Sequence, residues 1–211
     1  MSEPTADIGE PKTREELAME KVIDPYSEPF PYTHITPFRK LGSVLKNGLV
    51  AENFARRAKI DEFTRRYKSS WNDRYVSLSQ HSIKLCVWPY VTILVRPNED
   101  VIQGREVKAR TTDVFEPDWE LLVKNRISPK EFIGIVIGDR SPDNPDVVSL
   151  EDYYNYDPKD WRKASVRIPA EAILDTMEKS GISLPVYKGS EGLVWPVRMT
   201  PEELGERYKV K

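Results

Sequence analysis

Only one cysteine, Cys86, and two histidines, His34 and His81, occur in the chain. A lone thiol closes no internal disulfide, and so few imidazole and thiolate groups fall short of the usual ligand set of a structural zinc site, so no metal site is expected. Long apolar runs are missing as well. No stretch reaches the roughly 18 apolar residues that a membrane-spanning helix needs, and the opening MSEPTADIGEPKTREEL is polar and acidic, without the apolar core of a secretory signal. These absences lead to the expectation of a reducing, cytoplasmic setting without membrane contact. An excess of either charge is also lacking: 32 Lys and Arg stand against 34 Asp and Glu, a net charge of −2. That balance argues against a nucleic-acid binder driven by bulk electrostatics and leaves room only for a local basic patch.

What is present suffices for one sizeable core: 211 residues, 39% of them apolar, predict a single domain. Residues 1–28 read as a mobile tail with a short helix, and 29–211 as the domain. Thr13 followed by Glu16 is a capping-box spacing, and Pro25 stops the helix it opens. Prolines 25, 29, 31 and 37 frame a segment that must run extended, which makes Pro31 to Ile35 a strand. In FRKLGSVLKNG, Phe38, Leu41, Val44 and Leu45 recur at helical spacing, with Thr36 as N-cap, Pro37 at N1 and Gly48 just past the end. A second helix is predicted from Ala51 to Lys68, with Phe54, Ile60, Phe63 and Tyr67 on one side and a basic face on the other.

Strands are predicted at Arg74 to Leu78, Tyr90 to Arg96, Trp119 to Val123 and Ile133 to Gly138, where β-branched and aromatic residues cluster between breakers. The run DRSPDNP is a loop, and Ser149 caps a turn bearing Tyr153, Tyr154 and Tyr156. Pro169 to Lys179 reads as a helix with Ile173, Leu174 and Met177 inward, stopped by Gly181; Leu184 to Tyr187 and Leu193 to Val197 form a hairpin. The class is α+β.

Three segments carry more than fold information. YTHITPFRKLGSVLKNGLV places a histidine and a following threonine, His34 and Thr36, on a strand that feeds a short helix. In YVSLS, Tyr75, Ser77 and Ser79 alternate with Val76 and Leu78, so one strand face is polar or aromatic. WELLV, followed by KNRISPKEFIGIVI, sets Glu120 at a strand start. In this order, over residues 30–138, the segments resemble the ADP-ribosyltransferase superfamily, nearest to the DNA-targeting ADP-ribosyltransferase toxins and their relatives.

The resemblance implies a split, mostly antiparallel sheet with flanking helices, NAD as the substrate cofactor, and a protein or nucleic-acid acceptor. It implies that His34 and Thr36 hold the nicotinamide and its ribose, that Tyr75, Ser77 and Ser79 line the pocket, and that Glu120 is the catalytic acid. Arg74 stands approximately where some relatives place a cofactor-binding arginine, and Arg56 is a further candidate for the phosphates. A register shift of one residue inverts the strand face, so Glu116 and Asp118 remain alternatives to Glu120. The cluster Arg56, Arg57, Arg65 and Arg66 reads first as the solvated face of a helix and second as a phosphate-contacting surface for NAD, RNA or DNA. Two other functions compete: an RNA 2′-phosphotransferase-like enzyme, and a transferase fold that has lost catalysis and serves as an interaction module.

Overall fold

The computed structural model describes residues 11–51, 75–80, 83, 90–103, 121–138, 146, 147, 149, 151, 164, 165 and 167–208. In chain order the elements are α1 (Arg14–Met19), β1 (Tyr32–Pro37), α2 (Leu41–Asn47), β2 (Leu49–Val50), β3 (Tyr75–Gln80), β4 (Tyr90–Val95) and β5 (Ile102–Gln103). They continue with β6 (Leu121–Lys124), β7 (Arg126–Ile127), β8 (Phe132–Ile137), β9 (Asp146–Val147), β10 (Ala164–Ser165), α3 (Ala170–Ser180), β11 (Val186–Lys188), β12 (Gly192–Trp195) and α4 (Pro201–Tyr208). The second predicted helix, Ala51 to Lys68, lies outside the described residues apart from Ala51, as do Tyr153, Tyr154 and Tyr156.

Eight strands form one sheet in the order β12-β11-β8-β4-β1-β3-β6-β5, antiparallel throughout except for β8 beside β11. This is a mixed α+β architecture with a mostly antiparallel sheet. β1 pairs with β4 over its whole length, from Tyr32–Val95 to Pro37–Tyr90. Its pairing with β3 stops after Tyr32–Gln80 and Thr33–Ser79. From that point β3 runs with β6, Tyr75 opposite Lys124 through Leu78 opposite Leu121, and the sheet opens into two parts along a seam.

The helix predicted to begin at Thr36 and Pro37 starts later. Both residues belong to β1, a 3-10 turn (Phe38–Lys40) follows, and Lys40 is the N-cap of α2. The residue before a proline is driven toward extended backbone, and pairing with β4 extends the strand through Pro37. The predicted end holds: Gly48 closes α2 at φ 85°, where a Cβ would stand 2.3 Å from the Ile127 carbonyl oxygen.

Each sheet face buries its own core. On one, Val91, Ile93 and Ile135 meet Leu41 and Leu45 of α2 and Ile173 and Met177 of α3. On the other, Leu94, Val136 and Tyr187 meet Val22, Leu193 and Leu204. The segment leading into β1 is tied to both. Thr13 caps α1 with the predicted reciprocal bonds to Glu16, and the Arg14 guanidinium donates to the Leu174 carbonyl at 3.2 Å and pairs with Glu178. The Lys21 ammonium reaches the Phe132 carbonyl at 3.2 Å. The phenol of Tyr187, fully buried, accepts from the Ile23 amide at 3.0 Å and donates to the Ile23 carbonyl at 3.2 Å. Burial pushes that phenol's pKa up, so it stays protonated and able to donate.

Two substitutions test these constraints. Tyr187→Phe leaves the backbone groups of Ile23 without this partner inside the protein and is expected to cost about 1–3 kcal/mol, read as a lower urea midpoint at unchanged slope. Gly48→Ala is expected to cost at least about 1 kcal/mol from the left-handed backbone alone, with the contact to Ile127 adding to it. A midpoint equal to the parent's in either variant overturns the corresponding claim.

Candidate functional site

His34 lies where the seam opens. Its Nδ1 is 2.9 Å from the Ser77 carbonyl oxygen, in the stretch where β1 and β3 no longer pair. A carbonyl only accepts, so Nδ1 carries the proton and Nε2 is left as the unprotonated acceptor. The imidazole thereby takes the acceptor that a backbone amide would have met had the ladder continued. Desolvation holds the His34 pKa below the ordinary 6.5; the Ser77 bond opposes this, and the nearby Lys40 charge adds to it. The ring is neutral at physiological pH.

Two cations follow β1 immediately, Arg39 and Lys40, both half-buried. Burial first, and then the Arg39 charge, lower the Lys40 pKa. The 3-10 turn therefore sets two cations beside His34, at positions expected to lie within the helix of FRKLGSVLKNG and not marked as site residues by any sequence signal.

Register settles which predicted side chains share a face. Directly opposed residues project to the same side of a sheet. His34 opposes Ile93 and Thr36 opposes Val91, so both project toward the core that holds α2 and α3. Thr36 is 3% exposed, and its hydroxyl is enclosed. Ser79 opposes Thr33, whose hydroxyl donates to the Ser79 carbonyl at 3.0 Å. Ser79, Ser77 and Tyr75 therefore share the opposite face with Thr33 and Ile35, and all three are half-buried. The predicted group thus divides: His34 reaches β3 through the Ser77 backbone, while the three β3 side chains flank the seam from the other face. Ile35, not singled out by sequence, is 49% exposed on that face.

Glu120 lies outside the described residues, one position before β6, the strand beside β3. Arg56, Arg57, Arg65, Arg66 and Arg74 lie outside them too, as do Glu116 and Asp118. Among the described residues no three His, Cys, Asp or Glu side chains gather as metal ligands, and no helix is long and apolar enough to cross a membrane. A hollow of about 560 Å³ opens elsewhere, beside α4, lined by Val197, Arg198, Met199, Glu203, Glu206 and Arg207. Its two arginines and two glutamates balance, and it shares no residue with the His34 group, so the seam is the better candidate on chemistry.

Comparisons with protein-family models, with curated proteins and with solved structures gave no match.

The depressed pKa of His34 links stability to pH. With the folded value below 6.5, the unfolded chain binds the proton more readily. The contribution of His34 is therefore complete above pH 6.5 and is lost as the pH falls from there through the folded pKa. His34→Asn keeps an N–H donor for Ser77 but does not titrate. Urea unfolding over a pH series is expected to show a shallower acid-side loss in this variant than in the parent; parallel profiles would count against a desolvated, neutral His34.

Proposed function

We propose that the chain is an NAD-dependent ADP-ribosyltransferase, an ADP-ribosyltransferase-like fold that transfers ADP-ribose to a protein or nucleic-acid acceptor and releases nicotinamide. The observation that carries this reading is the neutral His34 at the opening of the sheet, with Nδ1 bound to Ser77 and Nε2 left as an acceptor.

In NAD the nicotinamide nitrogen is already cationic, so the glycosidic C–N bond breaks with its electron pair going to that nitrogen and no proton is required. Positive charge moves onto the ribose. A nucleophile of the acceptor then forms the new bond to the anomeric carbon and gives up its proton. Such a site has to hold the ribose still and favour developing positive charge by electrostatics. A neutral imidazole accepts from a ribose hydroxyl through Nε2 without repelling that charge, whereas an imidazolium would do both badly. Arg39 and Lys40 add positive potential for the pyrophosphate. Glu120 is the carboxylate that the reading requires at the ribose, and Arg56 and Arg74 are its further phosphate contacts; Tyr75, Ser77 and Ser79 complete the NAD-binding set, whereas Thr36, expected in it from the sequence, is enclosed in the core on the other face.

Incubation with labelled NAD and separate protein, DNA and RNA acceptors tests the proposal. The parent is expected to release nicotinamide and label one acceptor class. Glu120→Gln is expected to slow transfer by about 10²–10³-fold, the range for removing one preorganised electrostatic group, and His34→Ala to weaken NAD binding, with thermal melts verifying the fold of both. A folded parent that neither binds NAD nor transfers label would leave the interaction module as the reading of this chain.

A further inference from the structure

We propose that the face made by α4 and by the loop leading into it from β12 is where a second copy of this chain docks, in a two-fold contact. Leu193 exchanges both backbone hydrogen bonds with Met199, at 2.8 and 3.0 Å, so the outer edge of β12 is already occupied there and the residues between form a closed loop. A partner therefore meets side chains on this face. Four consecutive residues of the loop are apolar: Val194, Trp195 and Pro196 are half-buried, and Val197 is 42% exposed. A single exposed valine needs no explanation, whereas one that continues an apolar run at the rim of a hollow marks a contact surface. The hollow of about 560 Å³ beside α4 adjoins a second of about 210 Å³, and the two share Arg198, Met199 and Glu203.

The charges say what covers it. Arg198, Glu203, Glu206 and Arg207 are all exposed around the hollow. Among the described residues none of them pairs with another, although Glu203 and Arg207 stand one helical turn apart. Two are engaged elsewhere: the Glu203 carboxylate accepts from the Thr200 amide at 2.7 Å, and the Arg207 guanidinium lies 4.0 Å from the Met199 sulfur. Arg198 on the loop and Glu206 on the helix make no hydrogen bond or ion pair among the described residues. One cation and one anion on separate elements of one face are what a two-fold axis satisfies. Arg198 of one copy meets Glu206 of the other, and the reverse pair forms at the same time. A partner of a single charge would repel one of the two. The apolar run then fills the centre of the contact and the charges its rim, and a net charge of −2 adds little repulsion between copies. The face shares no residue with the His34 seam, so this dimer and the NAD reading stand or fall separately.

Sedimentation equilibrium of the full chain, from about 1 µM to about 100 µM, tests the proposal. The parent is expected to approach twice the chain mass as its concentration rises. Arg198→Glu and Glu206→Arg, each alone, set like charges against each other and are expected to raise the dimer Kd at least about tenfold. Both positions are exposed, so thermal melts are expected to match the parent's once the chains are dilute enough to be monomeric. An equimolar mixture of the two variants restores opposite charges in both pairs and is expected to recover the parent's affinity. A parent that stays monomeric over this range, single variants that dimerise as the parent does, or a mixture no tighter than its components would each overturn the proposal.

Discussion

β1 is hydrogen-bonded along its full length to β4 but for only two residues to β3, and the His34 imidazole meets the Ser77 carbonyl where the second ladder stops. Strand edges inside a protein carry amides and carbonyls that must be satisfied. A side-chain donor at this point lets the strands part without leaving that acceptor bare, and it keeps the ring in one tautomer. The seam, the half-buried serines beside it and the uncovered isoleucine all depend on the separation that this bond makes tolerable.

The electrostatics of the seam follow from the same placement. Desolvation keeps His34 neutral, and Arg39 and Lys40 follow on a turn too short to carry them away. The chain as a whole is close to electrically balanced, yet the two described charges that follow β1 at the seam, Arg39 and Lys40, are both positive. Net charge, read over the complete sequence, bears on solubility and bulk attraction; a small ligand responds to the few charges within a Debye length.

Legibility in the sequence tracked how local each determinant was. Thr13 with Glu16 gave α1 directly, Gly48 and Gly181 gave the ends of α2 and α3, and β3, β4, β6 and β8 lie within two residues of their predicted bounds. The helix α4 was missed although Thr200 and Glu203 make the same reciprocal pattern as Thr13 and Glu16, a signal that could have been read. Thr36 went wrong because its state is decided by β4, more than fifty positions away, against a local preference for capping. His34 was identifiable as a residue type in a strand, but its bond to Ser77, the seam and the division of the group between two faces need the register, which no local pattern contains.

The tie between Ile23 and Tyr187 spans 164 positions, and it closes the face that also holds Val22, Leu193 and Leu204. During synthesis that half of the core has nothing to close upon until the hairpin of β11 and β12 has emerged. β1, β4 and β8, which are made earlier, must meanwhile wait with one apolar face uncovered. Loop closure over such separations is slow, and a nascent chain in this condition is a natural client for chaperones.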